Sequence, residues 1–260
     1  MLSSRIIPCL LIHKSGLYKT VNFKDPKYVG DPINAVRIFN EKNVDELVVL
    51  DIDATKKGLL PNYDLISVLS AECRMPICYG GGIKNSEQVE KIINLGVEKV
   101  AIGSSAISDP ELISKSSRKV GSQSIVAVMD VKKTGLLNSK YEVYTHNGTK
   151  NSGMEAKSFA KELEKLGAGE IILNSINQDG TMKGFDHELI KLVYSSINIP
   201  MTALGGAGNF RDLALLIKEF PYLGVAAGSL FVFKGKYRAV LIQYPDDAKK
   251  NEILSGVNIS

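Results

Sequence analysis

Two segments of the chain share one pattern, and only one copy ends in a group that can move a proton. Ile12-His13-Lys14-Ser15-Gly16-Leu17 and Val131-Lys132-Lys133-Thr134-Gly135-Leu136 both read apolar, basic, basic, hydroxyl, Gly, Leu. Each follows an apolar run, Ile6–Leu10 and Ile125–Met129. The residue ending the second run is Asp130, and the residue in the same place after the first is Leu11. A carboxylate between Met129 and Val131, where a strand opens into a loop, is a candidate for a pKa raised by partial burial. That suits a general acid or base. Leucine carries no proton, so the symmetric counterpart of Asp130 is chemically silent.

A second repeat concerns anions. Gly80-Gly81-Gly82-Ile83-Lys84-Asn85 returns as Gly205-Gly206-Ala207-Gly208-Asn209. Ala101-Ile102-Gly103-Ser104 returns as Ala226-Ala227-Gly228-Ser229, and the separation from the first glycine to the serine is 24 residues in both halves. Each glycine-rich turn follows a strand pattern and opens a helix pattern. Backbone N–H groups free of side chains can close on an anion there. Gly81, Gly82, Gly103 and Ser104 would form one grip, and Gly205, Gly206, Gly228 and Ser229 the other. Two grips in symmetric halves point to a ligand with a phosphate at each end, the alternative being that these glycines only make tight turns. Asp51 and Asp53 follow the second strand pattern, and Asp179 sits in Asn177-Gln178-Asp179-Gly180-Thr181 after the sixth. Each could face the same ligand or merely cap a turn.

The elements that must position these residues alternate along the whole chain. Eight short apolar runs read as strands buried on both faces: Arg5–Leu10, Glu46–Leu50, Met75–Tyr79, Val100–Gly103, Ser124–Met129, Glu170–Leu173, Pro200–Leu204 and Leu223–Ala227. Amphipathic stretches lie between them. Asp31-Pro32 and Asp109-Pro110 each place a capping carboxylate before a proline at the first helical position. Gly96 and Gly121 fall where helix C-caps belong. Phe159, Leu163 and Leu166 mark a helix over Ser158–Leu166. Eight such units without a dividing linker predict a single (β/α)8 barrel over residues 1–260, built from two similar half-barrels. An open doubly wound sheet is the competing arrangement.

Arg5, Glu46, Lys99 and Glu170 each stand at the start of an apolar strand and alternate in sign. In a barrel, strand starts converge on the bottom. The four could form a ring of ion pairs closing the floor, or be four solvated strand entrances.

Bulk properties narrow the class. Apolar residues make up 44% and charged residues 23% of the 260, an ordinary globular composition. The net charge of +4 is scattered, with no tryptophan and no basic-aromatic stripe, which argues against nucleic-acid binding. Cys9, Cys73 and Cys78 lack metal-ligand spacing and read as reduced core thiols of a cytoplasmic protein. His13, His146 and His187 show no metal pattern either, and no metal or cofactor is expected. The start, Met1-Leu2-Ser3-Ser4-Arg5, lacks a signal-peptide run, and no stretch is apolar enough to span a membrane.

Taken together these residues resemble the cyclase subunit of imidazole glycerol phosphate synthase over essentially the whole chain. The likeness is carried by Arg5–Leu10, Val21-Asn22-Phe23, Gly30-Asp31-Pro32, Gly80–Ile83, Gly121-Ser122-Gln123, Glu142–His146, Gly167–Ile171, Asp179-Gly180-Thr181 and Gly205–Asn209. The resemblance implies a barrel partnered in a heterodimer with a glutaminase of the class I amidotransferase type. Ammonia from glutamine would pass through the barrel to a two-phosphate ribulosyl-formimino-aminoimidazole-carboxamide nucleotide. The products would be imidazole glycerol phosphate and an aminoimidazole carboxamide ribotide, in histidine biosynthesis. It further implies that Lys19 closes over substrate, that Asp130 is one of two catalytic aspartates, and that Asp51, Asp179, Gly180 and Thr181 belong to the substrate site. Arg5, Glu46, Lys99 and Glu170 become an ammonia gate, and Glu98 a contact to the glutaminase.

Three positions depart from that family pattern. Leu11 stands where the family has its first catalytic aspartate, Asn177 where a carboxylate is usual, and Thr20 where glycine is usual. The floor is intact and the top is altered. Either the cyclase chemistry is compensated, or the chain is a paralogue relaying ammonia to a third, amidotransferase protein that makes an amidino sugar for surface polysaccharide. The related single-chain isomerase of the same pathway is disfavoured, because it needs no ammonia and so no gate.

Overall fold

The computed structural model describes residues 3–135 and 139–255; Met1, Leu2 and Leu136 of the sequence patterns lie outside them. Eight parallel strands form a closed ring: β1 (Arg5–His13), β2 (Leu47–Asp51), β3 (Ile77–Gly80), β4 (Lys99–Ile102), β5 (Ile125–Thr134), β6 (Glu170–Ser175), β7 (Met201–Leu204) and β8 (Gly224–Ala227). Neighbours pair in chain order, and β8 returns to β1 in the register Arg5↔Gly224 to Pro8↔Ala227. The helices α1 (Pro32–Glu41), α2 (Tyr63–Glu72), α3 (Ser86–Asn94), α4 (Glu111–Val120), α5 (Ala156–Lys165), α6 (His187–Tyr194), α7 (Phe210–Glu219) and α8 (Asp247–Ser255) follow the strands one for one. This is the (β/α)8 barrel that the alternation predicts.

Side-chain alternation along each strand creates two cores. Outward residues such as Ile6, Leu10, Val49 and Ile77 pack beneath helix residues such as Phe39, Leu69 and Ile92. Inward residues Ile7, Cys9, Val48, Cys78, Ala101, Val126, Ile172, Leu204 and Ala226 fill the barrel itself. That double burial is why the strands read as continuous apolar runs. Among the described residues, no helix is long and apolar enough to cross a membrane.

Helix caps follow the sequence with one correction. Asp31 accepts from Asn34 N at 2.8 Å ahead of Pro32. Asn85 and Asn209, each ending a glycine-rich turn, cap α3 and α7 in the same way, and Asp212 completes a capping box on the second. Asp109 does not cap with its carboxylate. Its backbone carbonyl accepts from Leu112 N instead, because the preceding short helix Ser104–Ser108 runs directly into Pro110.

The apolar pattern gives no sign of the antiparallel excursions. Strand Gly16–Val21 folds back on β1 and pairs on with Lys24–Gly30, and Lys140–Thr145 folds back on β5 and pairs with Lys150–Glu155. Lys14 and Ser15 turn the first hairpin with positive φ of 48° and 63°, the hand that matches strand twist. The half-barrel symmetry survives at this level: Leu11 lies opposite Tyr18, and Asp130 lies opposite Tyr144. A third, small hairpin joins Phe233–Lys234 to Ala239–Val240.

The barrel floor is a closed ion network. Glu170 accepts from Arg5 Nη2 at 2.7 Å and from Lys99 Nζ at 2.8 Å, while Glu46 accepts from Arg5 and from Lys99 at 2.8 Å. Burial works against the charges of Arg5, Lys99 and Glu170, but their partners outweigh it. Glu170 is held below the usual carboxylate range by Arg5 and Lys99, and the Arg5 and Lys99 pKa values are raised by Glu170 and Glu46. Because Glu170 has a lowered folded-state pKa, its stabilisation is complete above the ordinary glutamate range and is lost as pH falls through the lowered value. Glu170→Ala leaves two cations facing one carboxylate and should cost about 3–5 kcal/mol at neutral pH. Urea unfolding at pH 7 and pH 4 should show that deficit shrinking in acid.

Candidate active site

Asp130 emerges from β5 at the top of the barrel beside Asn174 on β6, its register partner. The Asn174 carboxamide Nδ2 donates to Asp130 Oδ1 at 3.0 Å. Burial pushes the Asp130 carboxyl up to about 7, the Asn174 hydrogen bond opposes that, and Asp179 adds to it. A carboxyl poised there is protonated and ionised in comparable amounts near neutral pH, so it can both take and return a proton. Leu11, from the end of β1, lines the same cavity, together with Leu50, Val128 and Leu204. The two half-barrel equivalents therefore face one space, and only one of them ionises.

The two glycine-rich turns open on either side of Asp130. Gly205, Gly206, Gly228 and Ser229 line one cavity, and Gly81, Gly82, Gly103 and Ser104 line a second. The cavities meet at Leu50, Ile52, Val128, Asp130 and Asn147. The resulting groove has a glycine-lined turn at each end and a titratable carboxyl between them. Gly206, at φ 112°, packs so closely that a side chain would press into the Gly184 carbonyl.

Lys19 reaches this groove from the hairpin Gly16–Val21. Its Nζ donates to the Cys9 carbonyl, and its stem lies across Gly228, where a Cβ would sit 2.5 Å from Nζ. The ammonium thus stands beside the second grip. Burial lowers its pKa, with Cys9 and Asp179 acting in the opposite sense. Asp179 accepts from the Thr20 hydroxyl at 2.9 Å and from Phe23 N at 3.3 Å; burial raises its pKa, and those two donors oppose the rise. Gly180, at φ 68°, sits against the Thr20 carbonyl, so the Asp179-Gly180 turn and the Lys19 hairpin are locked together. Thr20 is thereby an anchor of the lysine hairpin. Asn177 likewise ties loops together, since its Oδ1 accepts from Lys133 N at 2.8 Å and its carbonyl from Asn22 Nδ2 at 2.8 Å.

Other sequence candidates are placed differently. Asp51 lines the first grip, yet its Oδ1 accepts from Asp53 N at 2.9 Å and Ala54 N at 3.1 Å, so it caps the turn as well. Burial raises its pKa against those two donors. Asp53 points away from both cavities and holds His13 at 2.7 Å, Lys14 N at 3.0 Å and Lys57 at 2.8 Å. Burial would raise its pKa, but Lys57, the Lys14 N–H and His13 carry it down to about 2. The Thr181 hydroxyl turns back to the Gln178 carbonyl at 2.9 Å and does not line the groove. Exposed Glu98, near the floor, accepts from Ile77 N at 2.8 Å. His146 and His187 bond Thr145 and Glu219.

Two residues were not legible beforehand. Asn174 lies just past the predicted strand Glu170–Leu173, in what reads as the following loop, whereas the observed β6 includes it; among the described residues its Oδ1 is buried without a partner. Asn147, in the turn between strands Lys140–Thr145 and Lys150–Glu155 with φ 56°, donates to the Ile52 carbonyl at 2.9 Å and roofs the meeting point of the two cavities. The place of Asn174 directly after the apolar run Ile171–Leu173, where Asp130 follows Met129, was the available signal for the first; nothing local marked the second.

The histidine biosynthesis protein family matches residues 5–238 of the chain. The chain belongs to this family. It is 54% identical over 253 residues to a protein of Leptospira borgpetersenii provisionally named imidazole glycerol phosphate synthase subunit HisF, covering 97% of this chain and 99% of that protein. A Pseudomonas aeruginosa protein, provisionally named subunit hisF2, is 53% identical over 246 residues, 95% of this chain and 97% of that one. The imidazole glycerol phosphate synthase subunit HisF of Alkaliphilus metalliredigens, named without that qualification, is 41% identical over 231 residues, 89% of this chain and 91% of that one. Within the family barrel, the Asn174–Asp130 bond makes a direct prediction. Asn174→Ala removes a donor that favours the ionised form, so the Asp130 pKa should climb further above 7. A carbon-13 titration of the labelled aspartate carboxyls would read the change, and an unmoved Asp130 would count against the bond.

Proposed function

We propose that this chain is the cyclase-type barrel subunit of a glutamine-dependent imidazole glycerol phosphate synthase, acting in histidine biosynthesis. The reading is carried by one arrangement: Asp130 stands midway between two glycine-lined grips, above a barrel whose floor is shut by Arg5, Glu46, Lys99 and Glu170. The grips suit the two phosphates of the ribulosyl-formimino-aminoimidazole-carboxamide substrate, with Lys19 neutralising the one at Gly228. The HisF names of the relatives support a lyase that works with a glutaminase subunit. In this reading the glutaminase docks at the floor, near Glu98, and ammonia enters through the quartet. Ammonia adds to the ribulosyl side of the substrate. The ribulosyl ketone oxygen leaves as water as the carbon–nitrogen bond forms. Attack of that nitrogen on the formimino carbon closes the ring, breaks the bond to the carboxamide ribotide's amine, and so releases imidazole glycerol phosphate and the aminoimidazole carboxamide ribotide. Both stages need proton transfers, and Asp130 can supply them in turn because its carboxyl titrates at about 7.

A second reading is favoured by Leu11. Opposite Asp130 the groove offers Leu11, Leu50 and Leu204 where a second acid or base would act. The relatives above 50% identity carry qualified names, and they align over more of this chain than the unqualified one. In this reading the barrel conducts ammonia from the glutaminase to a third, amidotransferase protein, and keeps the phosphate grips without full cyclase chemistry.

Turnover of the phosphoribulosyl substrate by the isolated barrel, with saturating ammonium at alkaline pH, separates the two. Turnover within the usual enzyme range, roughly 1–10³ s⁻¹, supports the cyclase; bound but unconverted substrate supports the relay. Any cyclase rate should vanish in Asp130→Asn, and full retention would reduce Asp130 to a loop residue. Leu11→Asp restores a positioned carboxyl and should raise that rate by about 10²–10⁴-fold; no gain with ammonium in excess would show that position 11 is not limiting.

A further inference from the structure

The floor network has a fifth, uncharged member. The Thr202 hydroxyl, fully buried on β7, donates to Glu170 Oε1 at 2.6 Å. Room for it is made on β8 by Gly224, where a side chain would collide with that hydroxyl and meet Arg5 Nη2 at 3.3 Å. The two carboxylates of the floor are therefore not equivalent. Among the described residues, Glu46 accepts only from the long side chains of Arg5 and Lys99. Glu170 accepts from both of these and also from a short hydroxyl fixed to the barrel wall. Lys99 bridges the pair on a flexible four-carbon stem. If it withdraws, Glu170 keeps Arg5 and Thr202, whereas Glu46 keeps Arg5 alone.

We propose that Thr202 is a positioning residue of the floor: its hydroxyl pins Glu170 as the fixed post, so that the passage opens on the Glu46 side. This rests on reading the floor as the entrance for ammonia. It adds a residue from β7 that carries no charge and so gives no signal in the alternating pattern of strand starts.

Cys78 supplies the reporter. It is the register partner of Lys99, its side chain points into the barrel, and it is 0% exposed. Burial raises its thiol pKa far above the ordinary range, and Glu46 and Glu170 add to this, so the thiol lies within reach of the network's charges. The purified protein would be treated with methyl methanethiosulfonate, and modification of Cys78 followed by peptide mass spectrometry, with the half-buried Cys73 as the internal reference. Lys99→Ala removes the bar and should speed Cys78 modification strongly. Thr202→Val removes only the pin and should speed it roughly 10- to 100-fold, the scale of one hydrogen bond to a charged group. Thr202→Ser keeps the hydroxyl and should stay close to the parent rate.

The outcomes separate the inference from its premise. If Lys99→Ala leaves Cys78 as protected as in the parent, the quartet is not a plug, and both the entrance reading and the Thr202 assignment fall. If Lys99→Ala is fast and Thr202→Val is not, the entrance stands and Thr202 has no part in it. If Thr202→Ser is as fast as Thr202→Val, the hydroxyl is not the cause. Low urea distinguishes local opening from general loosening, since it accelerates openings in proportion to the surface they expose and leaves a small local one unchanged. A Thr202→Val rate that climbs with urea would overturn the assignment.

Discussion

The parallel ladder between β1 and β8 is the contact on which the rest depends. It joins the two ends of a row that would otherwise be an open sheet. Closure brings Arg5 to Glu170, 165 positions apart in sequence, and sets Leu11 and Asp130 facing one cavity. In an open sheet the strand starts would lie along an edge, each solvated, and the two glycine-rich turns would point to separate crevices. The ring turns four unremarkable strand entrances into a closed network and two turns into opposite ends of one groove.

Polarity is arranged along the barrel axis as charge, hydrocarbon, charge. The floor holds four ionised groups, and the top holds Asp130, Asp179 and Lys19. Between them the inward side chains are Ile7, Val48, Ala101, Val126, Ile172 and Ala226, with the thiols of Cys9 and Cys78. The apolar middle is the common cause of the shifts at the top. Asp130 is driven towards neutrality by burial, and so is Lys19. The floor escapes this because its charges are paired on the spot. An interior of this kind disfavours ions much more than small neutral molecules.

Strand order, barrel closure and the position of both glycine-rich turns were legible because each rests on a repeated local rule. Double burial leaves apolar runs, helix starts need caps, and tight turns need glycine. Asp130 stood out by the same logic, as the one place where the halves agree in pattern and differ in chemistry. The hairpins after β1 and β5 were not legible. Their outer strands carry Lys24-Asp25-Pro26-Lys27 and Lys150-Asn151-Ser152, and are held by pairing to Gly16–Val21 and Lys140–Thr145 rather than by burial. Asp109 failed as a cap for a related reason: the element before it, not its own side chain, fixed where α4 begins. Asn147 and Thr202 owe their places to closure across distant segments, which no window of sequence reveals.

Leu11 has a bearing on how such a barrel changes over generations. A carboxylate at that point would stand desolvated among Leu50, Val128 and Leu204; a leucine joins them. Giving up the charged group therefore removes a strained feature and tightens the core, the usual trade of activity against stability. Drift in that direction runs downhill in folding energy while the floor, on the opposite face, is left untouched. A lineage that stopped needing the first carboxylate would meet no structural resistance in losing it, and would face resistance in getting it back.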